Sequence, residues 1–414
     1  MNSPLGSAAA KLGLLGALYF SQGLPFGFFT QALPVMLRQQ GLSLGTIGLT
    51  SLLAIPWALK FLWAPLVDRF GSARFGMRKS WIVPLQCASA LILLILGISA
   101  ENTPLRVLLL AVFSLNLVAA TQDIATDGLA VDMLRPHERG FANGLQVAGY
   151  RVGMIVGGGA LLILHDRLGS RGTFCIMAAL TLLATLPILF AREQTRAAPP
   201  APAAGGPVHF LRRPGAARLL ALIVAYKAGD AFAGGMLRPF LVDAGLSLED
   251  IGWLLGTVGF LAGLLGALCG GALINRLGRK PSLIAFGLLQ ALTVASYAYL
   301  ALGTPGRPAL YTLCAAEHFA GGMATAALFT CMMDWSSEDA SATDYTVQAS
   351  AVVIATGAAA ALAGFSAQAL GYPVHFSLGG VLALGALWLV HRYFPTAGGV
   401  AKLRDSRGKA ALCA

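Results

Sequence analysis

Charge is what this chain has least of. Only 11% of its 414 residues are Asp, Glu, Lys or Arg, against roughly 25% in an average soluble domain. The 18 acidic residues are too few to clothe a globule of this size in water. That excludes a soluble enzyme, a nucleic-acid binder and a disordered scaffold. Cysteine is sparse too: Cys87, Cys175, Cys269, Cys314, Cys331 and Cys413 show neither zinc-ligand spacing nor a disulfide pattern. They read as small apolar packing residues, and no metal site is expected. The first apolar stretch runs well beyond an h-region of about 7–15 residues, so it is not a cleaved signal peptide. A phosphate loop is missing as well. Gly71-Ser-Ala-Arg-Phe-Gly76 has the glycine spacing, but Met77-Arg78 follows where Lys-Ser/Thr is required.

What is present is apolar: 57% of residues, with a mean hydropathy of +0.72. A spanning helix takes about 20 mainly apolar residues. The sequence predicts twelve such spans, at 12–34, 44–66, 81–100, 105–134, 141–165, 172–191, 218–242, 248–273, 281–302, 308–334, 344–368 and 373–394. Twenty of the 29 basic residues then fall on one side, and only Arg38, Arg106, Arg167, Arg171 and Arg307 on the other. Positive loops mark the cytoplasm, so both termini are expected there. The net charge of +11 is a topology signal and not a nucleic-acid footprint.

A Pro/Ala/Gly-rich stretch at 197–207 cannot build a core. It suggests a division into an N-terminal six-helix half (1–191), a linker (192–217), a C-terminal half (218–394) and a cytoplasmic tail (395–414). The halves resemble each other. Gly41-Leu-Ser-Leu44 with Ile47-Gly48 recurs as Gly245-Leu-Ser-Leu248 with Ile251-Gly252, about 204 residues on. Asp132 and Asp334 close spans four and ten, and Gln146 answers Gln348. A parallel repeat of this kind predicts an all-α polytopic membrane protein of the major facilitator fold, two six-helix halves around a central cavity. Gly271-Ala-Leu-Ile-Asn275-Arg276-Leu-Gly278-Arg279-Lys280 matches that family's loop G-x-x-x-(D/N)-R-x-G-R-(R/K). Asp68-Arg69 with Arg78-Lys79 is a stretched first copy. Asp68, Arg69, Asn275, Arg276 and Arg279 are the expected conformational latch, in which a carboxylate or amide caps a helix end while arginines pin its neighbours. Simple positive-inside anchoring is the alternative.

Ionisable residues at membrane depth face a cavity or a partner, because a charge there costs at least about 2.5–3.5 kcal/mol. On span four, Asn116, Ala120, Asp123 and Asp127 share one face. Asp123 lies about 16 Å from the span's end at 1.5 Å per residue, a depth that matches Arg151 on span five. An Asp123–Arg151 or Asp127–Arg151 pair is therefore expected, either as a proton relay or as a structural tie. Lys227 and Asp230 can neutralise each other at i,i+3 on span seven, and Arg238 lies nearer the periplasmic end. Glu317 is a candidate proton carrier, while His318 points roughly 100° away from it along the helix. Lys60, between Trp57 and Trp63, reads as a snorkelling lysine. The candidate coupling carboxylates are thus Asp123, Asp127, Asp230 and Glu317. The stripe Tyr19, Gln22 and Phe26 on span one, with Tyr150, could stack on a ligand, and Arg151, Lys227 and Arg238 could meet its anionic groups.

Phe61-Leu-Trp63-Ala-Pro65-Leu-Val-Asp68-Arg69, Ala120-Thr-Gln122-Asp123-Ile124 and Gly149-Tyr150-Arg151-Val-Gly153-Met154 resemble the AmpG-type permease branch of the superfamily. That branch holds muropeptide permeases, acetyl-CoA transporters and the RhtX/FptX siderophore permeases. The resemblance runs through the whole chain. Its length and the start Ser21-Gln22-Gly23-Leu24-Pro25-Phe26-Gly27 are most similar to the ferripyochelin permeases. It implies a monomeric inner-membrane importer of an iron–siderophore complex, driven by protons and without a cofactor, iron being cargo. A muropeptide or other sugar-peptide permease is the alternative. A membrane acyltransferase built on Glu317-His318 and a receptor that keeps the fold without flux are more remote.

Overall fold

The structure is a computed structural model, and it describes residues 8–39, 50–72, 74–99, 104–191, 193, 206–303 and 306–395. The first copy of the repeated Gly-Leu-Ser-Leu motif, most of the linker and the tail lie outside the described residues. The chain is nearly all helical. Among the described residues, eight helices are long and apolar enough to cross a membrane. Two of the continuous helical stretches are in fact helix pairs. Gly371 (φ 76°) turns the chain inside Ser341–Tyr393, and Gly169 (φ 64°) does so inside Leu161–Phe190. Both need a left-handed backbone that only glycine adopts without strain.

Each predicted span has a counterpart. In chain order these are α1 (Ala8–Ala32), α2 (50–69), α3 (Lys79–Ser99), α4 (Leu105–Met133), α5 (139–167) and α6 (Leu168–Phe190). The second six are α7 (Ala216–Asp243), α8 (Glu249–Leu277), α9 (Arg279–Leu300), α10 (Arg307–Trp335), α11 (341–370) and α12 (372–393). α4 is about 43 Å long at 1.5 Å per residue, enough to cross with length to spare.

Two helices depart from regular geometry for reasons visible in their composition. α2 is not one span but a series of short pieces, Thr50–Ala54, Ile55–Leu59, Lys60–Leu62 and Ala64–Arg69. Pro56 and Pro65 each sit at a helix start, where proline needs no amide donor. α1 carries Pro25 and widens into a π turn at Phe28–Ala32. A Cβ on Gly23 would strike the backbone of Tyr150, and one on Gly153 would strike that of Phe20. α1 and α5 thus meet backbone to backbone, the close approach that small residues allow in membranes. The repeated Gly-Leu-Ser motif also has a physical reason. Ser247 caps α8, accepting from the Asp250 amide at 3.0 Å while Asp250 accepts from the Ser247 amide at 3.2 Å.

The helices pack as two units, and each takes a short piece from the other half of the sequence. One holds residues up to Leu134 with Ala148–Pro207 and Glu338–Thr346; the other holds Arg135–Val147, Val208–Ser337 and the chain from Val347. In the first unit Phe28, Leu33, Leu93, Leu115 and Met177 form the core. In the second it is Phe240, Leu254, Tyr297, Leu310 and Phe376.

Candidate functional site

The broken α2 positions the site of the first unit. Lys60 lies in its 3₁₀ turn, only 2% exposed, and is turned onto the polar face of α4. There it forms an ion pair with Asp123 and stands 4.0 Å from Asp127 Oδ2. From α1, the Tyr19 hydroxyl donates to Asp127 Oδ1 at 2.7 Å. Trp57 Nε1 donates to Asn116 Oδ1 at 2.9 Å. Its ring, with Phe26 and Tyr150 at centroid distances of 5.5 and 6.5 Å, walls one side of the group. Two buried carboxylates thus face one lysine ammonium in the first unit.

This changes three expectations. Asp123 pairs with Lys60, a partner that matching depths along the helices did not offer, and Arg151 lies half-buried on α5. Lys60 does not snorkel, because Pro56 and Pro65 break its helix and leave it in the turn that meets α4. Tyr19 is not a free stacking surface, since it is buried with its hydroxyl on Asp127. Gln22 lies in the same stripe with 0% exposure, and neither its Nε2 nor its Oε1 has a hydrogen-bond partner among the described residues. The sequence did carry a signal for Lys60: a lysine between two prolines in an apolar span.

In the second unit the Lys227 ammonium reaches Asp230 at 3.0 Å, as the i,i+3 spacing predicts, and Thr325 at 3.3 Å. His318 Nδ1 is 2.7 Å from Glu317 Oε2 and 3.0 Å from Cys314 O. The two side chains meet although their helical directions diverge, because the imidazole folds back along α10. Arg238 is exposed after the break in α7 at Gly235-Met236.

The latch regions form two matching clusters, one in each unit. In the first, Arg78 donates to Asp68 at 2.6 Å, Asp132 at 3.1 Å and Ser341 at 2.8 Å. Asp68 also accepts from the Thr343 amide and hydroxyl at 2.7 and 2.6 Å. In the second, Asp334 accepts from Arg139 at 2.8 Å and Arg279 at 2.7 Å, and Arg279 donates to Asn275 at 2.9 Å. Asp68, Asn275 and Arg279 stand where the motif puts them. Arg69 and Arg276 do not take part: both are exposed, and Arg69 lies over the Phe70 ring. Arg78, Asp132, Arg139 and Asp334 make the clusters' contacts instead. Burial alone would lower the Arg78 pKa, but Asp68 and Asp132 outweigh it and hold it above the usual arginine value. Reading Asp132 and Asp334 as repeat partners was the signal that could have found them.

A multi-pass helical protein with buried ion pairs on its spans has the architecture of membrane transporters. Its relatives place it further. A family model described as Major Facilitator Superfamily matches residues 218–411, and one described as Acetyl-coenzyme A transporter 1 matches residues 11–106. The chain is 32% identical over 390 residues to the anhydromuropeptide permease of Escherichia coli K12, covering 92% of this chain and 79% of the permease. It is 28% identical to a transporter named AmpG 4 from Rickettsia conorii, covering 89% and 92%. The human organic anion transporter MFSD10 has the same fold, with a TM-score of 0.70 at 15% identity over 92% of this chain and 99% of that one. So does the E. coli fucose:proton symporter, with a TM-score of 0.67 at 14% identity over 94% and 100%. The chain belongs to the major facilitator superfamily, beside its AmpG-type permeases. These relatives favour the sugar-peptide alternative and lend the iron–siderophore expectation no support.

Proposed function

We propose that this protein is a proton-coupled importer of anhydromuropeptide-like sugar peptides. In this reading it lies in a bacterial inner membrane with both termini cytoplasmic, and works as a monomer by alternating access without a cofactor. The observation that carries the substrate is the 32% identity to a named anhydromuropeptide permease across 92% of the chain. The coupling rests on Asp123 and Asp127, two buried carboxylates one helical turn apart that both face the Lys60 ammonium. One of them takes up a proton in one state and releases it in the other. Asp230 and Glu317 are the second unit's carriers. The aromatic wall of Phe26, Trp57 and Tyr150 suits the apolar faces of sugar rings, and Arg151, Lys227 and Arg238 suit the carboxylates of a peptide.

The rival substrate is a ferripyochelin-like chelate. It is favoured by the Ser21–Gly27 motif of the first span. Right-side-out vesicles decide between them. Labelled anhydromuropeptide should accumulate only without protonophore, and Asp123→Asn should abolish accumulation while sparing counterflow. Uptake of iron–siderophore with no muropeptide uptake would overturn the substrate; accumulation that survives the protonophore would overturn the coupling.

A further inference from the structure

The face of α10 that runs through Glu317, Gly321, Thr325 and Phe329 is half-exposed at every fourth residue, while its neighbours Ala320, Gly322, Ala324 and Ala326 are buried. From Ala320 to Thr330 the helix is otherwise buried and keeps this one open stripe. Gly321 makes a notch in it. A Cβ there would stand 3.2 Å from Gln290 Nε2 and 3.7 Å from Glu317 Oε1, so both polar atoms flank the same small space. Gln290, on α9, is 3% exposed and its Nε2 has no hydrogen-bond partner among the described residues. A buried amide donor without a partner costs stability, and in a membrane transporter an external group can satisfy it. Glu317 spends Oε2 on His318 at 2.7 Å, and Oε1 is the atom that faces the notch.

We infer that the Gly321 notch, between Gln290 and Glu317, is a substrate subsite for a neutral group that both donates and accepts. It accepts from Gln290 Nε2 and donates to Glu317 Oε1. A bare ammonium would leave the Gln290 donor unpaired, and a carboxylate would be set against Glu317. A sugar hydroxyl or an N-acetyl amide satisfies both atoms. The subsite therefore takes the sugar half of the molecule, and this rests on the sugar-peptide reading above. The glycine is what leaves room for it.

Two variants of the full chain test this, beside wild type in the same vesicles. Gly321→Ala fills the notch without changing charge. Gln290→Met removes the donor while keeping the volume. Both should raise the half-saturating concentration of anhydromuropeptide at least tenfold and leave the maximal uptake rate near wild type. The free disaccharide should compete with wild-type uptake and lose potency by the same factor in the variants. Purified Gln290→Met without substrate should melt at or above the wild-type temperature, since an unpartnered amide is gone. If it melts lower, Gln290 is a packing residue and the inference is wrong. Variants that take up the sugar peptide as wild type does overturn the subsite alone. A wild type that ignores the sugar peptide overturns the substrate reading and the subsite together.

Discussion

Lys60 holds together two carboxylates that would otherwise repel within one turn of α4. Removing one partner of a buried ion pair leaves an uncompensated charge, at a cost of roughly 3–5 kcal/mol. Lys60→Met should therefore lower the melting temperature of the purified protein and abolish accumulation. Adding Asp123→Asn to it should restore most of the melting temperature but none of the accumulation. A double variant no more stable than the single one would mean that Lys60 acts through packing against Trp57, whose ring lies 5.6 Å from its ammonium. The pair shows what single residues disclose in a sequence. Asp123 and Asp127 announce themselves by their four-residue spacing in an apolar span. Their partner does not, because depth counted along an ideal helix puts Lys60 too near the membrane surface. The count fails where Pro56 and Pro65 break the helix. The i,i+3 pair of Lys227 and Asp230 was legible because both residues share one unbroken stretch of helix.

At the level of elements, α4 joins the buried charges to the latch. Asp127 faces Tyr19 and Lys60, while a Cβ on the next residue, Gly128, would stand 2.8 Å from the Cβ of Ala342 and 2.9 Å from Arg78 Cζ. Asp132, a turn further on, holds Ser341 and Arg78. A shift of α4 that accompanies a change at Asp127 is thus felt by the segment Ser341–Thr343. Gly128→Ala should wedge that segment away. Hydrogen exchange across 338–346 should quicken about tenfold, equivalent to about 1.4 kcal/mol; unchanged exchange would show that the packing gives elsewhere. Arg78 stays charged at any physiological pH, so protons do not open this cluster through the arginine. Span positions were legible from hydropathy, because twenty apolar residues leave little choice of structure. The breaks in α2 and α7 were not, since short helical pieces share the composition of a single long one.

For the molecule as a whole, the internal repeat predicts two halves divided at the linker, and each packing unit takes one short segment from the other half of the sequence. Arg135–Val147 and Glu338–Thr346 change sides. That exchange needs three-dimensional contacts, yet both segments open the fifth helix of their own half, the position the repeat would have pointed to. Residues 1–200 expressed alone should be degraded or melt well below the full chain, because Asp68 and Arg78 lose Thr343 and Ser341. Co-expression with residues 201–414 should restore both abundance and uptake. A lone N-terminal fragment as stable as the whole would show that the borrowed segment contributes little.

The borrowed segment also gives the protein a timetable. The first six helices emerge from the ribosome and enter the bilayer long before residue 338 is made. Until α11 begins, Asp68 has only part of its hydrogen-bond set, in a half that is otherwise complete. Synthesis of the second half is thus a waiting period for the first, which is finished only by a strand of chain that arrives near the end of translation.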